Sequence, residues 1–384
     1  MAKGRIGGSV KKKVGMVVYG DPFTGKSTFA SQFLFMHNED GSPMKVLYID
    51  CESGSIDYYL DDIEAKGGNV EELYIVYTQS LSEVLNLIEK VKNHEEFYVI
   101  GDDGEETDEV LLDKHGNPWS PDALVIDGIT VLSSTMKQGL VEFSKKRAKV
   151  RADAEGLIGD ARLVKVEGAG MELKDFNSAK FKQNNLILSL IASGVHWICT
   201  SREASEKIYE KDSEGKQIAV ETGKKIPEGF GKDCVFNAHT VIRFTRDEYG
   251  DVIGICEKDR SGVHPGETIA NPQLTDWQVI IDKSVGKKDF VIQNDLASAV
   301  ETENRLYTNE IMNSMGSGIS SLAQSNSPSD IIADINAAMK AMTQDERNAK
   351  KNSLTAASLP ATPSEIKKIA DVDTLNKILD IVKS

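Results

Sequence analysis

Long apolar runs are missing from this chain of 384 residues. The most apolar stretch, residues 186–199, is broken by Ser189, Ser193, Gly194 and His196, whereas a helix that spans a bilayer needs about 20 consecutive apolar residues. No membrane span is expected. The basic start (Lys3, Arg5, Lys11, Lys12, Lys13) is followed by only six apolar-rich residues, 14–19, too few for a secretory leader. Cysteine is scarce. Cys51, Cys199, Cys234 and Cys256 form no C-x-x-C pair and no Cys/His cluster at zinc spacing. A zinc module is excluded, and buried, reduced thiols in a reducing, cytoplasmic setting are expected. Positive charge is also short: the net charge is −15. Bulk attraction to nucleic acid is excluded, although a local basic patch is not. Aromatic residues nearly vanish after residue 296, where Tyr307 stands alone.

What is present is an ordinary globular composition, 40% apolar and 27% charged, in a chain long enough for one large domain and an appendage. Residues 1–13 read as a flexible basic leader. From Val14 onward, short apolar runs alternate with helical patterns, the signature of a mostly parallel α/β sheet. Strands are expected at 14–19, 45–50, 73–77, 123–127, 195–200, 240–244, 252–257 and 277–282. Helices are expected after Lys26, over 81–91 and over 176–191, where apolar residues recur at helical spacing. Residues 95–120 read as a β-hairpin insertion, because 114–118 (Lys-His-Gly-Asn-Pro) is turn chemistry. Residues 203–237 read as a long polar excursion. The core is expected to end near 285. A helical segment and a Ser/Gly/Asn-rich linker follow over 286–330, then a helical tail over 331–384 with a second linker at 349–363.

The chemistry is concentrated at residues 20–28: Gly20, Asp21, Pro22, Phe23, Thr24, Gly25, Lys26, Ser27, Thr28. This fits G-x-x-x-x-G-K-[ST], with an apolar strand before it and a helical pattern after it. The glycines allow backbone N–H groups to turn inward around an anion. The Lys26 ammonium reaches the β- and γ-phosphates, the Ser27 hydroxyl ligates Mg²⁺, and Thr28 meets the α-phosphate. A second group must hold the metal. The apolar run 123–127 ends in Asp127, which is the expected partner, and Asp50 is read as structural or as a second-shell metal orienter. Gly128 follows Asp127, so the general base is not adjacent on that strand. The run 47–52 ends Asp50-Cys51-Glu52, at the sheet edge where ligands of parallel sheets bind. Glu52 is therefore the expected base for an attacking water. Guanine would call for Asn-Lys-x-Asp and an ABC ATPase for Leu-Ser-Gly-Gly-Gln; neither is found. ATP is the expected nucleotide.

Taken in order, 20–28, 48–52, 124–127, 197–201 and 257–262 resemble the RecA-like ATPases over roughly residues 14–285. Within that group the look is nearest to phage and prophage AAA-type nucleotide-binding proteins, beside the recombinases and DnaB-type helicases. The resemblance implies a RecA-like P-loop core with a small helical C-terminal tail. It places the water-activating role on Glu52 and a γ-phosphate sensor on Thr200 and Ser201. It also implies that Lys258 and Arg260, in Lys-Asp-Arg-Ser-Gly, reach the ATP of a neighbouring subunit, and hence a homo-oligomer with nucleotide at subunit interfaces. Where relatives carry glutamine after the sensor, this chain has Arg202 and Glu203, a departure at the link between ATP and DNA loops.

The family's DNA-contacting loops follow the Asp127 and sensor strands. The first region holds Lys145, Lys146, Arg147, Lys149 and Arg151, five cations in seven residues. The second holds Lys207, Lys211, Lys216, Lys224, Lys225 and Lys232, diluted by acids. Single-stranded DNA is thus a candidate partner, in phage recombination, annealing or replication. A second reading stays open: an ATP-switched adaptor or loader that captures a protein partner through its C-terminal tail without touching DNA.

Overall fold

The computed structural model describes residues 5–101, 104, 106–211, 217–229, 231–291, 299–305, 307, 328–342, 344–357, 359–362, 366, 369 and 371–383. The chain divides into two units, Met1–Ala299 and Val300–Ser384.

The first unit is built on one mixed, mostly parallel sheet. Its strands are β1 (Gly15–Gly20), β2 (Val46–Asp50), β3 (Leu73–Tyr77), β6 (Ala123–Asp127), β7 (His196–Lys211), β9 (Thr240–Arg246), β10 (Val252–Asp259) and β11 (Thr268–Ala270). Their order is β11-β10-β9-β1-β7-β6-β2-β3, and β8 (Gln217–Pro227) pairs with β7 beyond the sheet. The strands from β3 to β9 run parallel, and β10 and β11 are antiparallel additions. This is the RecA-like α/β architecture. The crossovers between parallel strands place β1, β2, β6 and β7 with their C-terminal ends at one sheet edge, so the residues that follow these strands meet there.

Strand alternation sorts the core into two layers. Val17, Tyr19, Leu47, Ile49, Leu124, Ile126 and Cys199 face one way and pack on α3 (Leu81–Lys92), α4 (Ile129–Ala154) and α6 (Leu173–Ser193). Met16, Val18, Val46, Tyr48, Val125, Ile198 and Ile242 face the other way. They pack on α1 (Lys26–Ser31), the 3₁₀ turn after it and α2 (Leu60–Ala65). All four cysteines are buried and unpaired, as the run positions of the thiols suggested. No described helix is long and apolar enough to cross a membrane.

Four local readings change. Residues 277–282 are not a strand: a 3₁₀ turn, Leu274–Trp277, runs into α8 (Gln278–Asp282). Trp277, Ile280 and Ile281 are all buried, at i, i+3, i+4 spacing on one helical face, which a window of apolar residues alone does not separate from a strand. The polar excursion at 203–237 is a long antiparallel ribbon: β7 continues past the sheet to Lys211 and pairs with β8, followed by α7 (Gly231–Asn237). Residues 10–13 are tied down, with Lys11 N–H donating to Lys288 O at 3.0 Å and Lys12 N–H to Ser284 Oγ at 3.1 Å. Residues 349–356 belong to a helix rather than a linker. The insertion at 95–120 contains β4 (Tyr98–Ile100) and β5 (Glu106–Val110), paired antiparallel. Most of the linker read at 314–329 lies outside the described residues.

α5 (Gly159–Glu167) completes the helices of the first unit. The second unit contains α9 (Pro328–Ala341), α10 (Gln344–Ala356) and α11 (Val372–Lys383). Ile331, Ile335, Leu354, Ile366, Leu375, Ile378 and Val382 form its own apolar core.

One buried imidazole joins the first strand to the sensor strand. His196 Nδ1 accepts the Val14 N–H at 3.0 Å, so the ring is neutral with its proton on Nε2. Desolvation by burial depresses its pKa to about 3, with a smaller push from Lys13. The unfolded chain binds a proton near pH 6.5 and the folded chain refuses it until about 3. Stability should therefore fall as pH drops from about 6.5, at up to roughly 1.4 kcal/mol per pH unit. In His196→Gln that acid slope should flatten, as read by urea denaturation between pH 4.5 and 7.5. An unchanged slope would remove His196 as its source.

Candidate functional site

The site begins where β1 ends. Gly20 passes so close to β9 that a Cβ there would lie 1.9 Å from the Phe244 carbonyl oxygen, so only glycine fits. Asp21 N–H donates to the same oxygen at 3.3 Å. The loop then holds itself. Buried Thr24 donates through Oγ1 to Asp21 O at 2.8 Å. Gly25 turns through a left-handed conformation, φ 80, into α1. Two clamps reach it from the far side of β9: Thr245 Oγ1 donates to Asp21 Oδ2 at 3.1 Å and Arg246 Nη2 to Phe23 O at 2.7 Å. Pro22 and Phe23 form the tip.

Lys26 Nζ lies inside this loop and donates to Gly20 O at 3.1 Å and Asp21 O at 2.6 Å. Burial lowers its pKa, opposed by the nearby carboxylates of Glu52, Asp127 and Asp21. Ser27 Oγ donates to Asp127 Oδ1 at 3.1 Å. Asp127 is only 1% exposed, and a buried carboxylate needs donors. It has four: Ser27 and Thr200 on Oδ1, Tyr48 OH at 2.8 Å and Ser55 Oγ at 2.9 Å on Oδ2. Thr200 Oγ1 in turn accepts the Gly128 N–H at 2.9 Å. Ser27, Asp127 and Thr200 are thus one hydrogen-bonded unit.

The residues fit a magnesium nucleotide. Among the described residues no group of three His, Cys, Asp or Glu side chains could hold a metal by itself. The hydroxyl of Ser27 and the carboxylate of Asp127 stand together beside Lys26, as needed for an ion that brings its own phosphate and water ligands. Next to Thr28 a cavity of about 580 Å³ is lined by Gln32, Phe35, Tyr59, Asp62 and Gln273, with size and chemistry suited to a nucleoside.

Of the two readings of Asp50, structural or second-shell metal orienter, its hydrogen bonds are those of a loop holder. Its Oδ1 accepts the Glu52 N–H at 2.8 Å, and its Oδ2 accepts from Gly54 N–H at 3.0 Å, with longer bonds from Ser55 and Ile56. The side chains of Asp50 and Asp127, register partners across β2 and β6, share the Ser55 hydroxyl as a donor. The work of Asp50 is to fold residues 51–56 so that Glu52 projects over Gly128. The fit there is close: a Cβ on Gly128 would come within 2.5 Å of Glu52 Cγ. Glu52 Oε1 accepts from Arg202 Nη2 at 3.1 Å and Nε at 3.3 Å.

Ser201 does not join this group. Neighbouring strand residues point to opposite faces, so Ser201 Oγ turns to Thr130 Oγ1 at 3.2 Å and Glu228 O at 3.0 Å, away from the Asp127 unit. Tyr48, Ser55, Arg202 and Arg246 were missed. Only Arg202 carried a signal, as the residue immediately after Ser201, inside β7.

Lys258 and Arg260 share a face, as their alternation implied, but at the other end of the sheet. Asp259 pairs with Thr240 and Thr240 with Met16, whereas Gly20 pairs with Phe244. That is four residues, roughly 13 Å, from the phosphate-loop edge. Both cations reach the C-terminal carbonyls of α7: Lys258 Nζ donates to Val235 O, Phe236 O and Ala238 O at 2.7–2.8 Å, and Arg260 Nη2 to Phe236 O at 3.3 Å. They cannot serve this chain's own loop.

The basic run on α4 is largely spent at home. Lys145 pairs with Glu142 and Glu167, Arg147 with buried Asp175, and Arg151 with Glu172. Among the described residues Lys146 and Lys149 make no ion pair.

A family model described as an AAA domain matches residues 12–234. The chain belongs to this family. The match covers the phosphate loop, the Asp127 strand, the sensor strand and the ribbon, and so makes the chain an AAA-domain P-loop ATPase by class. No curated protein matches the sequence of this AAA-domain protein. Among solved structures it is similar to a KaiC-like protein from the hyperthermophilic archaeon Pyrococcus horikoshii OT3. That match has 15% identity and a TM-score of 0.35, and covers 68% of this chain and 91% of the other.

The Gly128 contact gives a direct check on Glu52. Gly128→Ala should push Glu52 off its perch, and it should also strain a left-handed residue (φ 96). Turnover of ATP should fall at least tenfold, with nucleotide affinity within about threefold. Equal losses in affinity and turnover would mean that the substitution disturbs the loop itself.

Proposed function

We propose that this chain binds Mg²⁺-ATP in the 20–28 loop and hydrolyses it, using Glu52 as general base and completing the site with a neighbouring copy. The observation that carries this reading is the convergence of Lys26, Ser27, Asp127, Thr200 and Glu52, from four separate segments, on one sheet edge. Magnesium, once bound, would neutralise phosphate charge and align the oxygens. The chain's own groups do the rest. Backbone N–H groups of 23–28 and Lys26 hold the β- and γ-phosphates. A water lodged against Glu52 gives up a proton to the carboxylate as its oxygen attacks the γ-phosphorus; the bond to the bridging oxygen breaks, and ADP leaves. Arg202 occupies Glu52 Oε1, which leaves Oε2 for that water. In this reading Arg260, at the opposite sheet edge, acts on the next copy's nucleotide rather than on this one's, where an added cation stabilises the developing charge, while Lys258 spends its three N–H groups on the carbonyls that end α7.

Nucleotide binding and hydrolysis separate cleanly by mutation. Lys26→Ala should lose ATP binding by isothermal titration. Glu52→Gln should bind ATP within a few-fold of wild type yet turn over about 10²–10⁴ times more slowly. Full turnover in Glu52→Gln would move the base elsewhere, and unchanged affinity in Lys26→Ala would sink the loop as the phosphate site.

We further propose that the chain couples this reaction to single-stranded DNA, as in phage recombination, annealing or replication, through the β7–β8 ribbon. Lys207, Tyr209 and Lys211 alternate along β7 and so share one face, with Tyr209 73% exposed between the cations. An aromatic flanked by ammonium groups is a stacking platform for bases. The α4 run supports the idea less, since three of its five cations are paired. In fluorescence anisotropy at about 50 mM salt, the triple alanine variant of Lys207, Tyr209 and Lys211 should weaken binding of a labelled oligonucleotide at least tenfold. Reversing Lys146 and Lys149 should change it less than threefold. No binding by the wild-type chain at low salt would leave the adaptor reading, with the C-terminal unit as the partner-binding part.

A further inference from the structure

Two features at opposite ends of the sheet, the side chains at the loop tip and a cavity, go unused in the chemistry above apart from Arg260, and they match each other. The first is the tip of the phosphate loop. Phe23 is 93% exposed and is held at φ 58, a left-handed conformation that a bulky side chain adopts only at a cost. Arg246 bridges its carbonyl to Gly250 O, at 2.7 and 2.6 Å, so the turn after β9 lies beside it. That turn adds Tyr249, 83% exposed, and the carboxylates of Asp247, Glu248 and Asp251. The tip therefore offers two bare aromatic rings among acids.

The second feature is a cavity of about 400 Å³ at the other sheet edge. Its walls include Ile191, Val195, Trp197, Ile280 and Phe290. Its rim carries Arg5, Lys11, Lys12, Lys13 and Arg260, with Asp289 as the single carboxylate. Lys11 is engaged with Glu39 at 2.8 Å, and Arg5 lies over the Phe290 ring at 5.4 Å. Four or five cations around an apolar hollow are out of keeping with a chain of net charge −15. The positive charge sits at the mouth, and the interior is apolar apart from the half-buried His239, whose pKa burial pushes down. A small anion would find few groups to bond inside. An aromatic tip edged by carboxylates would find both halves of its complement.

We propose that the phosphate-loop tip of one copy, Phe23 with Tyr249, docks in the cation-rimmed cavity of the next copy. The contact is head-to-tail, because tip and cavity lie at opposite edges of the same sheet. It leaves one free tip and one free cavity on every pair and so propagates into a ring or a filament. Arg260 belongs to the cavity rim and Phe23 to the loop that holds the phosphates. Docking therefore brings Arg260 of one copy to the nucleotide of the other. This deepens the proposed function and rests on its oligomeric part.

The test reads mass, not turnover. Wild-type protein is followed by sedimentation velocity from 1 to 100 µM, with ADP and without, at about 50 and 500 mM salt. Association should rise with concentration and weaken at high salt. A tip variant, Phe23→Asp with Tyr249→Asp, and a rim variant, Lys12→Glu with Lys13→Glu and Arg260→Glu, should each associate at least tenfold more weakly. Mixed one to one, they should recover association that stops at pairs, since the rim variant keeps a good tip and the tip variant a good cavity. Recovery also shows that both variants are folded. A wild type that stays monomeric throughout, variants that associate like wild type, or a mixture that recovers nothing would each overturn the proposal. So would a small anion retained in the cavity of a monomer in native mass spectrometry. Failure of ATP binding in the wild type would sink the catalytic reading and leave the mass result standing.

Discussion

The arrangement depends on the burial of one carboxylate. Asp127 sits in the sheet interior, and four hydroxyls from different segments supply what water would otherwise supply: Ser27 from α1, Tyr48 from β2, Ser55 from the loop after it and Thr200 from β7. An unsatisfied buried carboxylate costs several kcal/mol, so these donors are held in register whether or not a nucleotide is bound. The groups to which the proposed hydrolysis assigns roles are thus positioned in advance, and binding need not assemble them. The same hub explains why Asp50 turns away from the site: with Asp127 saturated, the second aspartate is free to shape the loop that carries Glu52.

The phosphate loop, the Asp127 strand and the position of Glu52 were legible in the sequence because each rests on local pattern: glycine spacing, an apolar strand, a carboxylate at its end. What could not be read are pairings made by tertiary contact. Nothing near Tyr48 or Ser55 announces a bond to residue 127. Arg202 attracts notice only by standing where glutamine is usual, and its contact with Glu52 crosses 150 positions of sequence. The ribbon at 203–227 was hidden because both of its faces are largely solvent-exposed, so the alternation that betrays a half-buried strand is absent. Residues 277–282 failed for the opposite reason: three apolar side chains in a row satisfy either period.

Cations in this acidic chain show how little a residue count says about function. The α4 run looked like a patch, yet its members mostly neutralise acids on α5 and at the start of α6, and the two more exposed pairs, to Glu167 and Glu172, add little to stability. The scattered cations of residues 5–13 and Arg260, unremarkable in sequence, gather at one cavity. Spatial convergence turns charge into a recognition feature, and it is set by how the first residues lie against 284–288.

β7 has a mechanical consequence. One unbroken backbone carries Thr200 against Asp127, then Arg202 against Glu52, then the exposed ribbon out to Lys211. No loop separates the reaction centre from that distant tip. Strands resist stretching, and among the described residues the irregularity in the ribbon's pairing lies between Ser205 and Lys207. Bending concentrates at that bulge. A load applied at the far end therefore arrives at the hydroxyl of Thr200 as tension along a single peptide chain, with one built-in pivot on the way.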